Sequence, residues 1–178
     1  GNLILLSIEE NGYAHLFIQS NRSQDLPLTR ITDGGWNDVA PTLSPDRTQI
    51  AFASDRNGYW DLYTMDLQSG EVTQITSSPE YDSSPSWSPD GKFVYFSSDR
   101  GGAMGIWRIA VDEASGAPQG SAELVAMGTD LRMELARLSA DGRTVIFRST
   151  VESVNPAALS FDPVTRQLFV LTSNIDPV

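Results

Sequence analysis

Apolar residues along this chain come in short bursts, separated by clusters of Ser, Asp, Gly and Pro. The clearest bursts are Leu3-Ile4-Leu5-Leu6, Ile50-Ala51-Phe52-Ala53, Phe93-Val94-Tyr95-Phe96 and Thr144-Val145-Ile146-Phe147. They are apolar or small at successive positions instead of alternating, which predicts strands covered on both faces. Around them lie a second set, Ala14-His15-Leu16-Phe17-Ile18, Asp61-Leu62-Tyr63-Thr64-Met65-Asp66 and Gly105-Ile106-Trp107-Arg108-Ile109, and a third that includes Val72-Thr73-Gln74-Ile75-Thr76. Nowhere does a 3.6-residue period persist for three turns, so the class is all-β with helix close to absent.

The bursts are ordered by a repeat. Ser44-Pro45-Asp46-Arg47, Ser88-Pro89-Asp90-Gly91 and Ser139-Ala140-Asp141-Gly142 follow one another at 44 and then 51 residues. Ser54-Asp55-Arg56-Asn57-Gly58 returns 44 residues later as Ser98-Asp99-Arg100-Gly101-Gly102. Ser, Pro and Gly at the first, second and fourth places are type I turn preferences, so the first landmark joins a strand a to the buried strand b. Strands c and d complete the unit. Four antiparallel strands in a repeat of this length make the blade of a β-propeller, whose sheets bury both faces against their neighbours. A β-sandwich is the competing arrangement, but it would leave one solvated face on each strand and has no reason to repeat landmarks.

Those residues resemble a known family. Asn37 to Asp46, Ile50 to Gly58, Asp61 to Asp66 and Gln74-Ile75-Thr76 are similar to the WD40-like PD40 repeat of the TolB propeller, and Asp82 to Gly91 with Ser98-Asp99-Arg100 matches nearly as well. The third unit departs from the pattern: Ala140 replaces the turn proline and Arg148-Ser149-Thr150 lacks the Ser-Asp-Arg triplet. The resemblance covers essentially the whole chain and divides it into a partial blade over 1–35, blades over 36–79 and 80–128, and a last over 129–178. About four blades is fewer than the six the resemblance implies, so we expect part of a larger propeller, with open blade edges available for self-association. The family spans periplasmic Tol-Pal components, propellers attached to serine peptidases, oligogalacturonate lyases and regulatory fusions, so the fold is specified more sharply than the activity.

Composition narrows the partners. Among 178 residues, 12 basic stand against 23 acidic, a net charge of −11. That sign argues against a nucleic-acid backbone binder and favours a cationic partner. No apolar run is long enough for a membrane-spanning helix, there is no cysteine, and the first residues lack the basic region and cleavage site of a signal peptide. A Gly-x-Ser-x-Gly elbow is absent and His15 is the one histidine, which removes the peptidase signature and the multi-histidine manganese cluster of the lyases. His15 reads as a satisfied structural residue. Asp46, Asp90 and Asp141 read as turn acids, and Asp55-Arg56 and Asp99-Arg100 as ion pairs that fix loops or join blades. Asp112-Glu113 falls in an insertion from Val111 to Ala122 expected to be a solvated loop. Asn21-Arg22-Ser23 matches a glycosylation sequon by chance.

Blade topology places the d-to-a and b-to-c connections on one side of the disc. That side carries Trp36, Asn37 and Asp38, Tyr59 and Trp60, Tyr81 and Asp82, Met104, and Asp130, Arg132 and Glu134. Aromatics among polar groups on loops of a rigid scaffold suit a protein-binding face. Trp36 and Tyr81 are read as equivalent places, which makes plugging of blade junctions their alternative role. The expectation is a non-catalytic module that binds a protein partner through this face and needs no cofactor, with a periplasmic or extracytoplasmic location if it follows the Tol-Pal component. Two alternatives stay open: the propeller portion of a hydrolase or lyase whose catalytic residues lie outside the chain, and a sensory domain taking a small molecule or a divalent cation near Asp38 and Asp82.

Overall fold

The Ser-Pro-Asp turns show how a local pattern becomes a hairpin. In a computed structural model describing residues 3–20, 27–127, 133–139, 141–142, 144–149, 158–162 and 167–171, the last sheet mainly through its backbone, Ser44 Oγ donates to Asp46 Oδ1 at 2.6 Å. The same oxygen accepts the Gln49 amide at 3.0 Å, and the Arg47 amide closes the turn on the Ser44 carbonyl at 3.0 Å. Ser88 and Asp90 repeat the device with the Phe93 amide, and Ser139 and Asp141 with the Thr144 amide. One hydroxyl thus holds both the turn acid and the first amide of the returning strand. The Ser44 hydrogen bond holds the Asp46 carboxyl below its ordinary value.

These turns join the first two strands of three four-stranded antiparallel sheets. The first comprises β4 (Asp38–Leu43), β5 (Gln49–Ser54), β6 (Asp61–Asp66) and β7 (Val72–Gln74). Next come β8 (Asp82–Trp87), β9 (Phe93–Ser98), β10 (Gly105–Ala110) and β11 (Glu123–Met127), then β12 (Met133–Leu138), β13 (Thr144–Ser149), β14 (Ala158–Asp162) and β15 (Gln167–Leu171). Ahead of them is a three-stranded sheet of β1 (Leu3–Glu10), β2 (Tyr13–Ser20) and β3 (Thr29–Arg30). Its first hairpin turns at Asn11-Gly12, both at positive φ as an Asn-Gly hairpin turn requires. The inner strands β4, β8 and β12 lie side by side. Among the described residues no strand of the last sheet pairs with the first, so the propeller is open.

The predicted two-sided burial holds for the second strands: every residue of β5 is buried, and all but Phe93 of β9. One face of β5 and β6, through Ile50, Phe52, Tyr63 and Met65, packs on Leu16 of the first sheet. The other face, with Ala51, Ala53 and Leu62, packs on Trp87, Val94, Phe96 and Ile109 of the next sheet. Small residues thus meet large ones across each junction, which is how neighbouring sheets interdigitate. Counting from the paired positions Ile8–His15 and Ser54–Asp61, Ile4 and Leu6 hold the places of Ile50 and Phe52, yet both are exposed because nothing described covers that face of β1.

Two features depart from the sequence reading. The inner strands are bulged at one place: pairing slips between Val39 and Thr42 and between Ser83 and Ser86, with Ala40 (φ 52°) and Ser84 (φ 53°) in the left-handed region just before Pro41 and Pro85. The segment from Val111 to Ala122 is also not a free solvated loop. Asp112 repeats the Asp66 turn, accepting the Ser115 amide and hydroxyl, but Gly116 is buried against the preceding sheet. Thr64 Oγ1 donates to the Gly116 carbonyl at 3.1 Å and Gln49 Nε2 to the Ala114 carbonyl at 2.9 Å. The extra residues let this hairpin reach back to the preceding blade, where buried Gln49 and Thr64 supply the polar contacts that hold it.

Candidate functional site

Two of the three four-stranded sheets follow the second strand with a cation paired inside the blade. Arg56 follows β5, and its guanidinium donates through Nε to Ser54 Oγ at 3.0 Å and through Nη2 to Asp38 Oδ1 at 2.8 Å. Arg100 follows β9 and does the same with Ser98 and Asp82, the latter at 2.5 Å. The partner is therefore the first residue of the adjoining inner strand in the same blade, and neither Asp55 nor Asp99 pairs with the arginine. Those two carboxylates take backbone amides instead: Asp55 accepts from Asn37 N at 2.7 Å and Asp99 from Tyr81 N at 2.8 Å. Loop fixing is thus divided between two acids, one buried and one outside.

This disposes of two predicted contact residues. Asp38 and Asp82 are both 0% exposed, so neither can touch a partner at the surface. A carboxylate buried that deeply requires a charged partner, and each has one in its arginine. The arginines also lie on aromatic rings: Arg56 on Trp36, Phe52 and Tyr63, the last at 4.5 Å from the ring centre, and Arg100 on Phe96 and Trp107. Trp36 is half-buried in this stack, with its Nε1 enclosed. Nor is it the counterpart of Tyr81: the amide bonds to Asp55 and Asp99 align Asn37 with Tyr81, and Glu80 takes the Trp36 place.

What remains on the loop side is aromatic and joined across a blade boundary. Tyr59 is 56% and Tyr81 43% exposed, while half-buried Trp60 packs on the core beneath and meets Tyr81 at 6.1 Å between ring centres, tilted by 59°. The Asp82 amide donates to the Trp60 carbonyl at 2.9 Å, and Asp99 holds the Tyr81 amide, so both rings stand on loops pinned from two sides. At the preceding boundary Asn37 bridges instead, giving Nδ2 to Asp55 and accepting the Ala14 amide at 3.0 Å. Predicted neighbours in the last sheet divide differently: Arg132, like Asp130, lies outside the described residues, as does the Asn21 sequon, and Glu134 is placed by its backbone, opposite Arg148 in β13.

His15 is buried at the β2 position that Asp61 holds in β6, but its Nδ1 finds no partner among the described residues, so it is structural without being fully satisfied. Asp61 accepts from Gln74, Thr76 and the Ser78 amide, yet burial, and then the Asp82 carboxylate nearby, push its carboxyl above the ordinary value. Among the described residues no three Asp, Glu or His side chains converge as a metal site would need. The sequence reading passed over the inner strands as a surface. Ala40, Pro41, Ser84, Pro85, Trp87 and Leu138 help line a cleft of about 540 Å³ between three sheets. The repeated small residue before proline was the signal for it.

Residues 40–176 match the model of the TolB beta propeller domain. The chain belongs to that family. Its fold is shared with a TolB-type protein from Agrobacterium tumefaciens (24% identity, TM-score 0.75), of which it spans 60% while 94% of this chain is covered. TolB from Acinetobacter baumannii is 27% identical with a TM-score of 0.76 over 96% of this chain and 40% of that one. A structure of prolyl endopeptidases is similar in fold at 18% identity and a TM-score of 0.64, over 91% of this chain and 26% of that one. Comparison with curated proteins gave no match. The TolB-type chain is thus a part-length match to its solved relatives.

Proposed function

We propose that this TolB-family chain is a non-catalytic binding module that presents the Tyr59, Trp60 and Tyr81 face to a protein partner, in an extracytoplasmic Tol-Pal-type role. The observation that carries the reading is the Trp60–Tyr81 pair: two rings from different blades, partly exposed and held on hydrogen-bonded loops. Exposed aromatics cost little conformational entropy on binding, and pre-organised ones cost less. Family membership supports the Tol-Pal assignment, and the outer location follows from it. Hydrolase and lyase propellers share this fold at low identity, which speaks for architecture and not for chemistry.

The test is capture of the Tol-Pal lipoprotein by the chain and by Tyr59→Ala/Tyr81→Ala. Neither side chain belongs to the packed cores between sheets, so the melting temperature should stay within a few degrees while affinity falls by about tenfold or more. Unchanged affinity in the double variant would remove this face from the interaction.

A further inference from the structure

Resting on that reading, the geometry points to the chemistry of the partner: the outer surface of the Trp60–Tyr81 pair receives a cationic side chain, an arginine, from an extended segment of the partner protein. Three arginines of this chain already show what its rings do. Arg56, Arg100 and Arg108 each lie on aromatic faces, at 4.5 to 5.5 Å from the ring centres. The first two are neutralised where they stand by Asp38 and Asp82, leaving those cations nothing to offer a visitor. Trp60 and Tyr81 meet each other at 6.1 Å between ring centres, tilted by 59°, and the 43% exposure of Tyr81 leaves this pair ring surface that no arginine covers among the described residues.

The surroundings of the pair carry the opposite sign to such a guest. Glu80 precedes Tyr81 in the chain, and exposed Asp99 spends Oδ1 on the Tyr81 amide while Oδ2 accepts no hydrogen bond among the described residues. With the local arginines internally paired, these carboxylates are uncompensated, and the net charge of −11 draws cations toward the whole surface. A guanidinium could stack on either ring while donating to carboxylates at the rim, using both its flat face and its edge. A purely apolar guest would bury Tyr81 but leave the rim unanswered.

The test uses the four indole N–H signals of the 178-residue chain in a proton–nitrogen spectrum. The enclosed Nε1 atoms of Trp36, Trp87 and Trp107 are internal references, and Trp60 is the reporter. The probe is an acetylated Gly-Ser-Arg-Ser-Gly amide, set against the same peptide with citrulline, which keeps the shape and removes the charge. The arginine peptide should shift the Trp60 signal saturably in the millimolar range and leave the others in place. Citrulline should bind about three- to tenfold more weakly, Tyr81→Leu should weaken arginine binding by a similar factor, and added salt should weaken it further. Equal affinity for the two peptides, or no saturable shift of Trp60 with either, overturns the cationic guest. Loss of lipoprotein capture in the tyrosine variants would still uphold the face, so the two readings fail separately.

Discussion

In the sheet β4–β7 the cation that closes the second strand lies on three rings, one of them Trp36 from the loop entering the sheet. In β8–β11 its counterpart lies on two, and Glu80 stands where Trp36 would be. The hydrogen-bonded framework is the same in both: the Ser-Asp turn, the Asp–Arg pair, the bulge before proline and the loop acid on a backbone amide. The differences are on the loop side and in the length of the last hairpin. The shared hydrogen bonds fix the framework, so the variation between the two sheets falls on loop-side positions that no shared bond holds.

The last sheet sharpens this by losing the pair as a unit. Register sets Asp38 opposite Ser54, Asp82 opposite Ser98, and Met133 opposite Ser149, and the position two residues after Ser149 is Val151 in the sequence. Acid and base are both gone. Arg100→Met alone should therefore leave Asp82 buried without its partner and cost about 3–5 kcal/mol. Asp82→Met/Arg100→Val, which copies the last sheet, should recover most of that loss because no charge is stranded. Urea unfolding of the three proteins decides it: a double variant no more stable than the single one would mean that the pair is not the unit of exchange.

The next largest effect separates the two hairpins that follow the third strands. Both use an acid to hold a Ser amide and hydroxyl three residues on, and both place a glycine at positive φ, Gly70 at 74° and Gly116 at 68°. A Cβ on Gly70 would have nothing within 4 Å, whereas one on Gly116 would stand 2.1 Å from Gln49 Oε1 and 2.8 Å from Thr64 Oγ1. Gly70→Ala should cost about 1 kcal/mol, from backbone strain alone. For Gly116→Ala the expectation is about 2–4 kcal/mol, because the docked arm must also move. Equal losses in thermal unfolding would show that the arm contributes nothing by docking.

Much of this was legible in the residues. Turn serines and acids, two-sided strands and the spacing of landmarks carry the blade, because each is a local demand of the backbone that sequence states directly. The Asp–Arg pairing was less visible: adjacency in Asp55-Arg56 suggested a neighbour, while the strand register brings Arg56 to Asp38, 18 residues away. For the same reason Asp38 and Asp82 looked like loop residues and are buried strand ends. The insertion has the Gly, Ala and Ser composition of a free loop, and only contact with Gln49 and Thr64 shows that small residues are needed to lie flat on another blade. Topology places Tyr59, Trp60 and Tyr81 on the loop side, since it fixes the side of the disc without any side-chain geometry.

The smallest effect concerns what both sheets keep in common. Ala40 holds φ 52° in the bulge and is exposed, so its methyl group contributes little packing to set against the strain. A left-handed non-glycine residue costs about 1–2 kcal/mol, and replacing it with glycine returns part of that gain as added freedom of the unfolded chain, about 0.4–1 kcal/mol. Ala40→Gly should consequently stabilise the fold by about 0.5–1 kcal/mol, seen as a rise of a few degrees in melting temperature. The same change at Ser84 should give the smaller gain, since that residue is half-buried and lines the cleft between the inner strands. Destabilisation by Ala40→Gly would mean that the bulge draws its shape from the alanine itself, and that Pro41 and the register of β4 against β5 are not enough to impose it.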